Sequence, residues 1–226
     1  MPLSERTITE AIIKNYTDKL FDSTSCDVVV VGAGPTGLVA AADLARTGWK
    51  TCLFERGLSI GGSMWGGGMM MNEIVVQEEG KEILDDFGIT TAPFKKGYYT
   101  ASSIEAVCSL GARACKNGAR IFNLVRVEDI VLRENIASGV AINWSAAETA
   151  GLLVDPLTVE CGFIIDATGR AAEVVRAIER KAAVRLLTPS GKIEGERPIW
   201  ADRSMTVGKM RSSRSRLWNS ISTRSP

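Results

Sequence analysis

The chain has 226 residues, 45% of them apolar, with 27 Lys and Arg against 26 Asp and Glu and no histidine. That length suits one domain with a sizeable core, and a formal charge of +1 argues against a dedicated nucleic-acid binder. Without histidine there is no Cys/His zinc site, no H-E-x-x-H protease and no Ser-His or Cys-His nucleophile pair. Acid–base work falls to Asp, Glu, Lys, Tyr or Cys.

In chain order, Thr7 and Glu10 read as a capping box ahead of Ile8, Ile12, Tyr16 and Leu20 at four-residue spacing. This predicts an amphipathic helix ending near Phe21 and docked on the body of the protein. Residues 27–31 are a continuous run rich in valine, the mark of a strand buried on both faces. They lead into Gly32-Ala33-Gly34-Pro35-Thr36-Gly37, a helix over 38–46 closed by Gly48, and a second buried strand over 51–55. Strand, glycine turn, helix and strand within about thirty residues make a βαβ unit. Residues 61–71, rich in glycine and methionine, have no period and are expected to form a loop. Helices are predicted over 78–87 and 102–116, the second ended by Gly118. Two or three strands follow over 119–144, with a turn at Glu134 and Asn135. Residues 159–165 form another strand, running into Asp166-Ala167-Thr168-Gly169 and a helix over 171–181.

Charge divides the chain unevenly. The first 200 residues hold 21 bases and 25 acids, whereas residues 201–226 hold six bases against Asp202 alone. Residues 1–209 are expected to form a single dinucleotide-binding domain, and 210–226 a disordered Ser/Arg-rich tail. Five cysteines, odd in number and without a C-x-x-C pair, point to a reducing compartment. Cys108 and Cys115, seven apart on a predicted helix, are expected to be buried structural thiols. The opening residues Glu5, Arg6 and Glu10 are unlike a signal peptide, and the uncharged runs 28–42 and 57–72 are broken by glycine and polar residues. The expectation is a soluble cytoplasmic protein without membrane or nucleic-acid partners.

The glycine motif meets three needs: Gly32 for the tight turn, Gly34 for backbone approach to a pyrophosphate, and Gly37 for packing helix on strand. Glu55 lies 18 residues beyond Gly37, where a carboxylate can accept bonds from ribose hydroxyls. An acid there favours NAD or FAD over NADP, while Arg56 beside it pulls the other way. The plainer alternative is a Rossmann-like turn that holds no ligand. The 166–169 turn fits the second nucleotide contact of flavoproteins with two dinucleotide folds, or an ordinary strand-to-helix turn. Met69, Met70 and Met71 suit either a substrate wall or core filling, and Trp65 either a nucleotide cover or packing.

These residues carry a resemblance. The 32–37 motif, Glu55-Arg56, Gly61-Gly62, Trp65-Gly66-Gly67-Gly68-Met69 and the stretch 72–77 resemble the archaeal and bacterial branch of the thiamine thiazole synthase family. The likeness continues through Asn143-Trp144, 155–157, 166–169, 173–175, 191–193 and Trp200-Ala201, covering about residues 5–201. It implies an α/β, Rossmann-like FAD/NAD(P)-binding fold of glutathione-reductase type with an inserted antiparallel β region. The site would hold NAD or an adenylated product in place of a redox flavin. Family members cleave nicotinamide from NAD, condense ADP-ribose with glycine, add sulfur and cyclise to an ADP-thiazole carboxylate. This branch uses free sulfide and ferrous iron. By matching position, Gly32, Gly34, Thr36, Gly37, Glu55, Arg56, Gly62, Ser63, Val127, Leu153, Val154 and Asp155 would line the dinucleotide. Asp155 would also be a catalytic iron ligand, in a ring of eight subunits that share the metal.

The sequence departs from the family at the chemistry. Leu153 stands where the family has its sulfur-donor Cys or a His, and Arg170 where the second iron ligand is His. A guanidinium has no lone pair to give a metal, though it can hold phosphate or carboxylate. After Ala201 the family's glycine-rich closing segment is replaced by the Ser/Arg tail, which reads as a truncation or altered frame. Three alternatives follow: a catalytically impaired NAD- or ADP-ribose-binding paralogue, an FAD-dependent oxidoreductase, and a relative labelled ribulose-1,5-bisphosphate synthetase.

Overall fold

The computed structural model describes residues 3–134 and 136–181. The valine run forms β1 (Ser25–Val31), in which Val28, Val29 and Val30 are fully buried because both faces of the sheet are covered. The glycine turn opens α2 (Pro35–Arg46), and the chain returns through β2 (Thr51–Glu55), parallel to β1 with Val31 opposite Phe54.

Two short 3-10 turns (Gly62–Gly66 and Gly68–Met70) lead to β3 (Glu73–Val76), α3 (Glu78–Asp86), β4 (Ala92–Lys95) and β5 (Tyr98–Ser102). These three strands make a separate antiparallel sheet in the order β3-β5-β4. The helix α4 (Ser103–Lys116) is capped by Ser102, whose hydroxyl accepts from the Glu105 N–H. Then come β6 (Arg120–Asn123), β7 (Val125–Arg133), β8 (Ile136–Trp144), the short α5 (Ser145–Thr149), the long β9 (Leu157–Asp166) and α6 (Glu173–Lys181).

The main sheet runs β6-β2-β1-β9-β8-β7. Its first four strands are parallel, and β9-β8-β7 is an antiparallel meander. One face packs Val28, Val30 and Leu53 under α2, α3 and α4 through Leu38, Leu84 and Leu110. The other packs Val29, Val31, Phe54 and Phe122 against the meander residues Ile130, Val140, Ile142 and Val159, with Val174 of α6. The parallel strands thus lie between two layers, which places their C-terminal ends and the following turns at the surface.

The N-terminal helix differs from expectation. It spans Glu5–Asp22 (α1) and is capped by Ser4, whose hydroxyl accepts from the Thr7 N–H, so the helix begins ahead of the Thr7/Glu10 box. Glu10 pairs instead with Arg6 at 2.7 Å. No residue of α1 is buried. Only its last turns dock: Tyr16 meets the Phe122 ring edge-on at 6.0 Å, while Ile8 and Ile12 stay exposed. The Lys19 ammonium lies 4.4 Å from the Phe122 ring centre, and burial lowers its pKa. The expected disorder of 210–226, the domain limit at 209 and the family-like pieces at 191–193 and 200–201 lie outside the described residues.

Candidate nucleotide-binding site

The glycine turn sits at the C-terminal end of β1, between the ends of β2 and β9. Gly32 has φ +99°, and a Cβ there would lie 2.6 Å from Ala167 O, so both conformation and space require glycine. A Cβ on Gly37 would lie 1.9 Å from Gly32 O, which fixes how closely α2 approaches the strand. At Gly34 the situation is different. An added methyl would meet no protein atom within 4 Å, so the protein's own packing does not demand glycine there. A glycine there leaves room for the close approach of a pyrophosphate. Gly34 is also the N-cap of α2 and supplies no side-chain cap, leaving first-turn N–H groups to an anion, with Pro35 at the first helical position.

Glu55 braces this turn. One carboxylate oxygen accepts from Ala33 N–H at 2.7 Å and the other from Gly57 N–H at 2.7 Å. Each oxygen keeps a lone pair for a ribose hydroxyl. Gly61 N–H donates to Ala33 O at 2.7 Å, and a Cβ on Gly62 would come 3.3 Å from Gly34 Cα. The 61–63 segment is therefore packed on the turn, with Ser63 exposed and Thr36 half-buried in the first turn of α2.

On the other side, Asp166 organises the 166–169 turn. Its Oδ1 accepts from Thr168 N–H and from the Thr168 hydroxyl, and its Oδ2 accepts from Val175 N–H. The Thr168 Oγ1 in turn accepts from Glu173 N–H at 2.8 Å. Glu173 then pairs with Arg56, Oε1 to Nη1 at 2.9 Å. Glu173 lies in the family-like stretch 173–175, but sequence alone gives it no role, because its partner is 117 positions away.

The meander carries or anchors the remaining candidates. Leu124 N–H donates to Gly57 O and Asn123 Nδ2 to Leu58 O, joining the β6–β7 junction to the Glu55 loop. Val127 is half-buried on β7, opposite Ile142. Asn143 Nδ2 donates to Val154 O at 2.8 Å and anchors the segment carrying Leu153, Val154 and Asp155, all three exposed.

A model of the Thi4 family matches residues 9–212. This chain belongs to the Thi4 family. It is 52% identical over 202 residues to the thiamine thiazole synthase of Methanothermobacter thermautotrophicus, covering 89% of this chain and 78% of that one. It is 50% identical over 207 residues to that of Desulfosudis oleivorans, covering 92% and 80%. The crystal structure of Thermovibrio ammonificans THI4 superposes with a TM-score of 0.83 at 45% identity, covering 89% and 78%. A geranylgeranyl bacteriochlorophyll reductase-like protein of Thermoplasma acidophilum, at TM-score 0.52 and 19% identity, shares the fold alone over 71% of this chain and 43% of that one.

For a Thi4 chain the implied iron is the point of disagreement. Asp155 precedes β9 and Arg170 follows it, so the ten residues of β9 stand between them, roughly 30 Å of extended strand. Among the described residues no three His, Cys, Asp or Glu side chains come together as a metal-binding group. The guanidinium of Arg170 offers no lone pair. Among the described residues, the donors of a single chain do not fit ferrous iron.

One expectation is corrected, and one of two open readings is set aside. Cys108 and Cys115 are exposed, because they project from the solvent side of α4, and the buried thiols are Cys26, Cys52 and Cys161. Met69, Met70 and Met71 fill no core; they are 66%, 86% and 65% exposed, since the 3-10 turn carries them off the domain surface. The Trp65 indole donates to Ile60 O at 2.6 Å and stays partly exposed. No helix among the described residues is long and apolar enough to cross a membrane.

Proposed function

We propose that this chain is a thiamine thiazole synthase of thiamine biosynthesis, binding NAD and converting its ADP-ribose part, with glycine and sulfide, to an ADP-thiazole carboxylate. The observation that carries this reading is a dinucleotide turn, with Gly34 open to an approaching pyrophosphate, in a chain 52% identical to a thiamine thiazole synthase. In it the α2 N-terminus holds the phosphates, Glu55 the adenosine ribose, and Thr36, Arg56, Gly62, Ser63 and Val127 complete the wall. Leu153 carries no sulfur, so sulfur enters as free sulfide. Arg170, near the same turn, suits a phosphate or carboxylate oxygen.

Asp155 is the carboxylate assigned to the chemistry. Because β9 separates it from position 170, a site using both would draw them from neighbouring copies, which supports a homo-oligomer and, on the family's pattern, an octamer. The odd cysteine count without a C-x-x-C pair supports a cytoplasmic location.

The experiment is anaerobic purification, mass spectrometry of copurifying nucleotides, and turnover of NAD, glycine and sulfide with and without ferrous iron. An adenylated thiazole or its formation supports the synthase. Bound NAD or ADP-ribose without product supports the impaired paralogue, which the poor metal donors favour. A yellow preparation with bound flavin supports the oxidoreductase. Neither nucleotide nor product sinks the reading.

A further inference from the structure

Arg56 leaves a question that its position alone does not answer. A guanidinium next to the ribose-binding Glu55 is the group that commonly accepts a 2′-phosphate. The structure shows what occupies it. Arg56 follows β2 and Glu173 opens α6 after β9, and β1 lies between those strands, so their 2.9 Å ion pair bridges the end of β1 where Gly32 and Gly34 turn. Glu173 is held there by its own backbone, whose N–H bonds to Thr168 Oγ1 at 2.8 Å, and Thr168 is fixed by Asp166 at 2.6 Å. A 2′-phosphate would have to draw Arg56 away from Glu173, and it would meet two carboxylates, Glu55 and Glu173, on arrival.

We propose that Glu173 is a specificity-determining residue: by neutralising Arg56 it keeps the ribose site selective for a free 2′-hydroxyl. The inference rests on the nucleotide reading of the glycine turn. Both side chains are partly exposed, 62% for Arg56 and 38% for Glu173, so the pair acts chiefly by cancelling charge at the site mouth.

The test is calorimetric binding of ADP-ribose and of its 2′-phosphate to the full chain, to Glu173→Gln, and to Glu173→Gln with Arg56→Ala. The unaltered chain is expected to prefer ADP-ribose. Glu173→Gln should narrow that preference about fivefold, through tighter binding of the phosphorylated ligand. Arg56→Ala in the same chain should restore it, and added salt should erase the gain. An unchanged ratio in Glu173→Gln would overturn the proposal. So would equal weakening of both ligands, the mark of a merely structural helix start. If the unaltered chain binds neither ligand, the nucleotide reading itself fails.

Discussion

Ala33 and Glu55, 22 positions apart in sequence, are joined by a 2.7 Å hydrogen bond from the Ala33 N–H to the Glu55 carboxylate. The acid proposed to bind the ribose is thus also the brace of the proposed phosphate turn. Its second oxygen takes the Gly57 N–H, so both backbone donors need an acceptor. Glu55→Gln can satisfy only one of them and sets an amide N–H₂ against the other. We expect a loss of about 1 kcal/mol in urea unfolding and about tenfold in ADP-ribose affinity. Unaltered affinity would remove Glu55 from the site.

Two glycines three residues apart should behave in opposite ways. Gly37→Ala puts a methyl 1.9 Å from Gly32 O and should cost about 3 kcal/mol of stability. Gly34→Ala meets no protein atom and its φ of −66° suits alanine, so stability should stay within about 0.5 kcal/mol. Nucleotide affinity should nevertheless fall about tenfold or more, because the methyl stands where the proposed site takes the pyrophosphate. Thermal melts with and without ADP-ribose separate the two effects. A Gly34→Ala chain still stabilised by ligand would contradict the placement.

The buried thiols give a pH dependence. Burial pushes Cys161 from 9.0 up to about 11, and Cys26 is raised by its hydrogen bond to Cys52 and then by burial. These are acids whose folded pKa exceeds the unfolded one, so the folded chain keeps protons that the unfolded chain releases. The Cys161 contribution, about 2 kcal/mol, should be full below pH 9 and be lost as pH rises towards 11. Cys52, lowered to about 7 first by its hydrogen bond with Cys26, works the other way between pH 7 and 9. Cys161→Ala should flatten that slope in denaturant titrations. An unchanged slope would place the titration elsewhere.

Exposure separates the cysteines into two groups. Under native conditions a thiol-specific alkylating agent should label Cys108 and Cys115 rapidly and spare Cys26, Cys52 and Cys161. Peptide mass mapping reads the outcome directly. Fast labelling of Cys26 would mean that the β1–β9 pairing opens readily.

The βαβ core was legible because each of its demands is local. The valine run of β1 and the three glycines state their environments within a few positions, and Glu55 lies at the expected offset. The resemblance implied an inserted antiparallel β region, which the β3-β5-β4 sheet bears out, but the residue pattern did not show its strands. Its β4 is exposed at every position and contains Pro93, so it has neither an alternating nor a continuous apolar pattern. The helix start at Ser4 was missed because Thr7 and Glu10 satisfied the same rule three residues later. At the site, long-range pairs such as Arg56 with Glu173 leave no sequence spacing to read. The resemblance supplied Val127 and Asp155, which periodicity alone would not have singled out.

Met69, Met70 and Asn72 hold left-handed backbone, at φ +56°, +63° and +47°, in the segment that follows the turn packed against Gly34. Asparagine tolerates this conformation, but each methionine there costs about 1–2 kcal/mol relative to a residue at ease in it. Selection for heat resistance alone would therefore install glycine at 69 and 70. A library screened only for survival on heating should drift towards such chains, while one screened for thiamine prototrophy should keep the methionines.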